Sequence, residues 1–318
     1  MKNYHRLASM IFNQPLAVTD QMLDMAVAWA NRAMNLNIIN LPSSRTSVEP
    51  SALEDGGPAP AMSAADIRRQ AAAESGVYVV PVHGVLVSRS AHVNPCESMT
   101  SYEAIRSMLR AAVDDPAVAH IVLDIDSPGG SALGCADLAD EIFTARAAKP
   151  VTAIANFSAF SAAYWLGSAA SQLIVSRSSG VGSIGVIARH LDLSAKLAAD
   201  GVKVTSVYAG ARKNDLNSAE PLSTEAMTFL QSMVGDMYDQ FAEGVARNRG
   251  LSVAKVKATE AGVYFGSNAV AQGLADRVES PQAAVDRIAS EVAAQRGTGA
   301  TRRSISARAS AMAAQNRL

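Results

Sequence analysis

Between residues 76 and 280, short apolar runs alternate with segments of helical periodicity, and this alternation is the strongest constraint on the fold. The runs are rich in β-branched residues: VYVVPVHGVLV after Gly76, HIVLDID at 120–126, PVTAIA at 150–155, QLIVS at 172–176 and GVKVTSVYA at 201–209. Runs of this length and composition predict strands. Their alternation with helices predicts an α/β domain with a largely parallel sheet.

Segments with the spacing or the end signals of helices lie between and after these runs, at residues 101–113, 133–148, 161–171 and 224–250. Thr100 or Ser101 is the expected N-cap of the first, because its hydroxyl can accept a hydrogen bond from a free backbone N–H. Gly250 is expected to end the last, since glycine adopts the left-handed conformation that is common after helices.

Composition divides the chain into three parts, residues 1–75, 76–280 and 281–318. The first part is predicted to hold an amphipathic helix at 15–35, followed by a flexible linker rich in Pro, Ser, Gly and Ala. The last part is predicted to hold a helix at 281–295 and a mobile tail. The middle part is therefore the candidate functional domain.

The charge and cysteine content exclude several classes of protein. A formal net charge of −1, a pI near 6.5 and the lack of a basic cluster predict no nucleic-acid partner. Cys96 and Cys135 lack the paired spacing of a zinc site, so they are either free thiols or one bridge. Because neither a signal peptide nor a run of about 18 apolar residues is evident, we expect no membrane span. We expect a cytoplasmic protein with reduced thiols, no metal and no cofactor.

Three features could supply the nucleophile, the base and the oxyanion donors of a hydrolase. The turn SPGG at 127–130 follows a predicted strand and can present backbone N–H groups, although a tight turn without a ligand explains it equally well. Ser161 begins a helix after a strand and its loop, where it is a nucleophile or, like Ser158, an N-cap. Lys213 lies in a polar loop, where a solvated surface lysine is the simplest interpretation.

Six motifs, taken together and in order, change these interpretations. They are LDIDSPGG at 123–130, SAFSAAYWLGSAAS at 158–171, VGSIGV at 181–186, YAGARK at 208–213, EPLS at 220–223 and AQGLAD at 271–276. The set resembles the signal peptide peptidase A family of serine proteases, and in particular its phage capsid-assembly members, which are head maturation proteases. The resemblance covers about residues 76–280 and is specific as a set.

This resemblance implies the Clp-protease/crotonase-like α/β fold, a superhelix of ββα units, and a homo-oligomer. It implies Ser161 as the nucleophile and Lys213 as the base of a serine–lysine dyad. It also implies that Gly129, Gly130 and Ala162 supply N–H groups to the oxyanion. The implied substrates are proteins or peptides, namely scaffold, portal or capsid proteins, cut in a host cytoplasm or inside a procapsid.

The dyad hypothesis makes a physical demand on Lys213. A lysine is protonated at neutral pH and acts as a base only when burial lowers its pKa. We therefore expect Lys213 in an apolar site beside Ser161, with both residues from one subunit or from two. After the lysine, Asp215 fits the family pattern but residues 216–218 do not, which leaves the conformation of this loop open.

Other patterns suggest different chemistry. Residues 180–185 match GxGxxG, but no acidic residue ends the next predicted strand, so a structural turn lining the cleft is the better interpretation. The five histidines could serve a Ser-His-Asp triad, but no GxSxG motif is present. Asp124 and Asp126 could act as paired carboxylates, although their place before the SPGG turn favours the end of a strand.

Other functions also stay open at this point. The chain could be a cytoplasmic protease of a bacterium, similar to signal peptide peptidase, or a head component whose protease domain is inert. It could also be a crotonase-like enzyme that acts on acyl-CoA, since that fold shares an oxyanion site built from glycine N–H groups.

Overall fold

The computed structural model describes residues 16–18, 64–89 and 99–297. The strands are β1 (Leu16–Val18), β2 (Val77–His83), β3 (Val85–Val87), β4 (Met99–Ser101), β5 (His120–Ser127), β6 (Gly129–Ser131), β7 (Val151–Phe160), β8 (Gln172–Val175), β9 (Gly180–Gly182), β10 (Val263–Phe265) and β11 (Arg277–Val278). The helices are α1 (Ala64–Ser75), α2 (Tyr102–Asp114), α3 (Cys135–Ala145), α4 (Ala162–Ser168), α5 (Ser194–Ala199), α6 (Thr224–Arg249), α7 (Val253–Lys257), α8 (Gly266–Ala271) and α9 (281–297).

The larger sheet is built on parallel strands. β2, β5, β7, β8 and β11 pair in parallel in that order. On the edge away from β5, the long strand β7 pairs with two strands in succession. Residues 152–155 pair with β8, and residues 158–160 pair with β9. β10 closes the far edge by antiparallel pairing with β9.

Both faces of this sheet are buried, which explains why its strands are continuous apolar runs. In β5, Ile121 and Leu123 join the core formed with helices α2, α3, α4 and α6, whereas Val122 between them points to the opposite face. There it packs with Ile288 and Val292 of α9. The predicted C-terminal helix therefore covers the second face of the sheet.

A smaller sheet lies beside the first, with strand order β1-β6-β3-β4. β6 pairs in parallel with β3 and antiparallel with β1. The succession β5-β6-α3 is a ββα unit, and the succession β2-β3-β4-α2 has the same order with one further short strand before the helix. The predicted Clp-protease/crotonase-like α/β fold is thus confirmed.

The helix ends agree with the capping predictions. Ser101 caps α2 by accepting a hydrogen bond from the N–H of Ala104 at 3.2 Å. Gly250 follows α6 with φ of 64°, the left-handed conformation that glycine adopts readily. These local signals fix where the long helices begin and end.

Three local predictions are wrong or incomplete. Residues 16–18, at the start of the predicted helix 15–35, form strand β1, and the rest of that helix lies outside the described residues. α1 lies within the predicted helix-and-linker part and was not predicted from the sequence. Residues 201–209 do not form the predicted strand, because they pair with no other strand among the described residues.

Candidate active site

Ser161 occupies a strained turn between β7 and α4. Its backbone has φ of 53° and ψ of −122°, a left-handed φ that is costly for a residue with a Cβ. Two hydrogen bonds hold the turn: the N–H of Ser161 donates to Gly182 O at 2.8 Å, and Ser161 O accepts from Trp165 N–H at 2.9 Å. The strain is therefore maintained by β9 on one side and by the first turn of α4 on the other.

The hydroxyl of Ser161 is buried and accepts or donates no hydrogen bond among the described residues. It also makes no capping bond to α4, although Ser161 stands at the N-cap position. The N-cap interpretation of this serine is therefore wrong. A buried hydroxyl without a partner costs about 1 to 3 kcal/mol, and such groups are retained mainly where they have a function.

Gly129 and Gly130 of β6 form one wall of the site. Gly129 has φ of 107°, and a Cβ placed on it would lie 3.0 Å from Ser161 Cβ and 2.2 Å from Ala17 O. A Cβ on Gly130 would lie 1.9 Å from Leu86 O. Both positions need glycine because backbone from neighbouring strands approaches them closely.

The predicted oxyanion donors are not equivalent. The N–H of Gly129 already donates to Ser127 Oγ at 3.1 Å inside the protein. Ala162 is the first residue of α4, where backbone N–H groups have no partner within the helix. Among the three predicted donors, Ala162 has an N–H that is free within α4 by its place at the helix start, whereas Gly129 donates to Ser127 Oγ and Gly130 is paired with Ala17 and Leu86 in the smaller sheet.

Two buried side chains support β6 and the start of α4 and were not found from the sequence. The hydroxyl of Tyr102 donates to Ser131 O at 2.5 Å, and the thiol of Cys135 donates to Ala162 O at 3.4 Å. Burial raises the pKa of Cys135 to about 12 and raises the pKa of Tyr102 well above its usual value. Both groups therefore stay protonated and keep donating. Cys135 is a free thiol, and Cys96 lies outside the described residues.

Lys213 is not where the sequence predicted it. It lies in a turn, where its N–H donates to Gly210 O at 3.0 Å, and its side chain is exposed. The expectation of an apolar site beside Ser161 is therefore wrong for the single chain.

The loop that carries Lys213 is nevertheless held by a polar network. Glu220, from the EPLS motif, accepts hydrogen bonds from Ser206 Oγ and Asn214 Nδ2, each at 2.8 Å. Asn217 Nδ2 donates to Ser206 Oγ at 3.2 Å. Arg212 and Asp215 form an ion pair at 2.6 Å. The network fixes the loop around Lys213 while the lysine itself points to solvent.

The GxGxxG pattern at 180–185 has a structural role. A Cβ on Gly180 would lie 2.5 Å from Phe160 Cζ, and one on Gly182 would lie 2.5 Å from Gly262 O. These glycines let β9 approach β7 and β10, and the carbonyl of Gly182 holds the turn of Ser161. The pattern lines the site, as the sequence predicted.

Asp124, His83 and His120 make structural contacts, whereas His5 and His92 lie outside the described residues. Asp124 accepts from Asn156 Nδ2 at 3.1 Å and lies 2.9 Å from His83 Nε2. His120 Nε2 lies 2.9 Å from Thr152 Oγ1. These partners link neighbouring strands of the larger sheet and include neither Ser161 nor Lys213.

Residues 144–295, which include Ser161, Gly182 and the loop of Lys213, match the family model described as peptidase family S49. The chain carries a peptidase S49 domain. Phage proteins are among its relatives. The chain is 35% identical over 295 residues to the head-tail preconnector protein GP5 of Enterobacteria phage P21, covering 91% of this chain and 58% of that one. It is 38% identical over 291 residues to the capsid assembly protease C of Escherichia phage lambda, covering 87% and 64%.

A bacterial relative links the S49 domain to signal peptide peptidases. The chain is 25% identical over 224 residues to a putative signal peptide peptidase SppA of Enterococcus faecium, covering 70% of this chain and 65% of that one. The family resemblance predicted from the motifs is thus confirmed. The chain spans less than two thirds of the length of the two phage relatives. None of the helices in the described residues is both long and apolar enough to cross a bilayer.

Within the S49 domain, the AQGLAD motif anchors α6 to the sheet. Asp276 pairs with Arg249 through two bonds of 2.7 and 2.8 Å and accepts the N–H of Leu173 at 2.6 Å. Burial alone would raise the pKa of Asp276, but the hydrogen bonds from Arg249 and Leu173 outweigh it and lower that pKa. This motif, one of the six that indicated the family, thus has a structural role, and its contacts include neither Ser161 nor Lys213.

Proposed function

We propose that the chain is a serine endopeptidase in which Ser161 is the nucleophile. The observation that supports this most is the hydroxyl of Ser161, which is buried, has no hydrogen-bond partner among the described residues and lies beside the glycine wall of β6. A strained strand-to-helix turn is a common way to present a serine nucleophile. The S49 domain supports peptide hydrolysis over other acyl-transfer chemistry.

The proposed reaction is acyl transfer through a covalent intermediate. Ser161 Oγ attacks the peptide carbonyl while a neutral lysine amine, that of Lys213, accepts the hydroxyl proton. N–H groups of Gly130 and Ala162 stabilise the oxyanion, and Gly129 can join them only if its N–H leaves Ser127 Oγ. The lysine then returns the proton to the leaving amine, and water hydrolyses the ester by the reverse sequence.

We propose further that Lys213 acts on the serine of a neighbouring copy. The lysine is exposed in the single chain, so a second surface must cover it before its charged form is disfavoured. The stretch just before it offers such a surface. Val202, Val204, Val207 and Tyr208 are 49%, 47%, 94% and 53% exposed, in backbone that forms no strand pairs among the described residues. An unpaired, β-branched stretch fits strand addition by another chain.

The biological role we propose is proteolysis during phage capsid assembly. The relatives of phages P21 and lambda support this role, and we extend it to scaffold, portal or capsid proteins as substrates. The chain would work as a homo-oligomer in a host cytoplasm or inside a procapsid.

Co-expression with the genes that flank it tests the proposed function. Wild type, Ser161→Ala and Lys213→Ala are compared by mass spectrometry of the co-expressed proteins, with Lys255→Ala as a control for loss of an exposed lysine. We expect cleaved products with wild type and Lys255→Ala only. Cleavage that persists in Ser161→Ala would contradict the proposed nucleophile.

The exposure of Lys213 also supports one alternative, a head component whose S49 domain is inert. In that case no co-expressed protein is cut by wild type, although the protein still assembles with head proteins. Binding of an acyl-CoA thioester without peptidase activity would instead favour the crotonase-like alternative.

A further inference from the structure

The strand β1 lies in the site, between β6 and Ile187. It runs antiparallel to β6, with Leu16, Ala17 and Val18 opposite Ser131, Gly130 and Gly129. On its other edge Leu16 exchanges two backbone hydrogen bonds with Ile187, each of 2.8 Å. A three-residue segment is thus held as the middle strand between the glycine wall and residue 187.

Ala17 is the residue of this strand that reaches Ser161. A Cβ built on Gly129 would lie 2.2 Å from Ala17 O and 3.0 Å from Ser161 Cβ. The Ala17 carbonyl and Ser161 are therefore both close to Gly129. Ala17 is fully buried and Leu16 is 6% exposed, and Ala17 packs into the main core. The carbonyl oxygen of Ala17 therefore lies within a few ångströms of Ser161 Cβ.

We propose that residues 16–18 are a substrate-like strand that occupies the peptide cleft of their own chain and competes with substrate. This rests on the proposed peptidase function. The occupant also indicates the substrate class, an extended peptide with a small residue at the position of Ala17 and an apolar residue before it. Backbone pairing on both edges would hold such a peptide largely independently of its sequence.

The sequence around β1 indicates that the cleft imposes the strand. Residues 15–35 carry helical periodicity, with Leu23, Val27 and Ala30 at helical spacing, so local preference does not favour an extended segment. The observed strand depends instead on its pairing with β6 and Ile187. A segment held mainly by a neighbouring edge can be displaced by a peptide that pairs with that edge better.

A disulfide staple in the full chain tests the proposal. Leu16 and Ile187 form a hydrogen-bonded antiparallel pair, whose Cα atoms lie about 5.5 Å apart in such pairs, a distance that a disulfide spans. The double variant Leu16→Cys/Ile187→Cys is mildly oxidised and mapped by mass spectrometry. Labelling of Ser161 by a fluorophosphonate, and hydrolysis of a fluorogenic peptide containing Leu-Ala-Val, are then measured before and after reduction. The two single variants are the controls for Cys96 and Cys135.

We expect the staple to form, and labelling and hydrolysis to be at least tenfold slower in the oxidised than in the reduced form. If positions 16 and 187 do not cross-link, or if both forms label equally fast, the proposal is overturned. If the staple forms but Ser161 is unreactive even after reduction, occupancy of the cleft is supported and the proposed nucleophile is overturned.

A substitution without cysteine gives a second readout. Ala17→Leu adds volume at a fully buried position and should expel the strand, whereas Ala17→Gly keeps the backbone that pairs with β6. We expect Ala17→Leu to lower the apparent KM for the external peptide several-fold with kcat unchanged, and Ala17→Gly to change KM less. An unchanged KM in Ala17→Leu would contradict competition by this strand.

Discussion

Ser161 donates its backbone N–H to the carbonyl oxygen of Gly182 at 2.8 Å, and this bond joins the strained serine turn to β9. Gly182 has φ of 105°, and a Cβ on it would lie 2.5 Å from Gly262 O. The two motifs SAFSAAYWLGSAAS and VGSIGV are therefore joined by a hydrogen bond at the turn of Ser161. The second holds the backbone of the first in a conformation that the serine would not adopt alone.

Gly182→Ala should disrupt the contact between these two motifs. The new Cβ meets backbone and imposes a left-handed φ on a residue with a side chain, so we expect a loss of at least about 2 kcal/mol in unfolding free energy. Gly235→Ala in α6 is the control, since a Cβ there has no neighbour within 4 Å. It should gain up to about 1 kcal/mol. Urea unfolding measures both, and equal effects would refute the role of Gly182.

Ser161→Ala should separate activity from stability. Peptide hydrolysis should fall by about 10³-fold or more, while unfolding free energy stays level or rises by up to about 1 kcal/mol, because an unpartnered buried hydroxyl is removed. Ser168→Ala is the control. Its hydroxyl donates to Trp165 O and accepts from Asn248 Nδ2, so its loss should cost about 1 kcal/mol. A destabilised Ser161→Ala would show that the hydroxyl has a structural partner.

Tyr102→Phe tests the support of the glycine wall. The change removes the donor to Ser131 O and leaves that carbonyl unsatisfied, which should cost about 1 to 3 kcal/mol. Because Ser131 ends β6, we expect KM for a peptide substrate to rise as well. Unchanged KM with lowered stability would restrict Tyr102 to a structural role.

Asp276 should make stability depend on acidic pH. Its pKa is lowered in the folded chain, so its contribution is complete above the usual aspartate pKa and is lost as pH falls through the lowered value. Asp276→Asn should lower the free energy of unfolding by about 2 to 3 kcal/mol at pH 7, and this difference from wild type should shrink as pH falls. The control Asp239→Asn breaks an exposed pair with Lys257 and should change the free energy of unfolding much less than Asp276→Asn does. Urea midpoints between pH 7 and pH 3 decide this.

The elements that the sequence predicted well are those whose residues carry their own signal. β5 and β8 are apolar because both faces of the sheet are covered, and α2 and α6 have Ser101 and Gly250 at their ends. Ser161 was found by its motif, and its predicted place at the start of a helix after a strand is observed, whereas the strain of its turn was not predicted. The segment before that turn, NFSAF, was expected to be a loop, yet it continues β7 because β9 pairs with it.

The elements that the sequence missed depend on partners elsewhere in the chain. β6 and β9 contain glycines, which disfavour strands locally, and they form because glycine lets neighbouring backbones approach. β1 lies at the start of a segment with helical periodicity and is extended because β6 and Ile187 pair with it. Residues 201–209 have the composition of a strand but no partner among the described residues, and Lys213 just after them is exposed.

Ser161 of one copy is proposed to work with Lys213 of another, and mixing two inactive variants distinguishes this arrangement from a dyad within one chain. Ser161→Ala retains the lysine and Lys213→Ala retains the serine, so a mixed oligomer contains some complete sites only if the dyad spans two chains. Peptide hydrolysis is measured for each variant alone and after the two are co-assembled. We predict no hydrolysis from either variant alone and clear recovery in the mixture. An inactive mixture that forms mixed oligomers, beside an active wild type, would contradict the account.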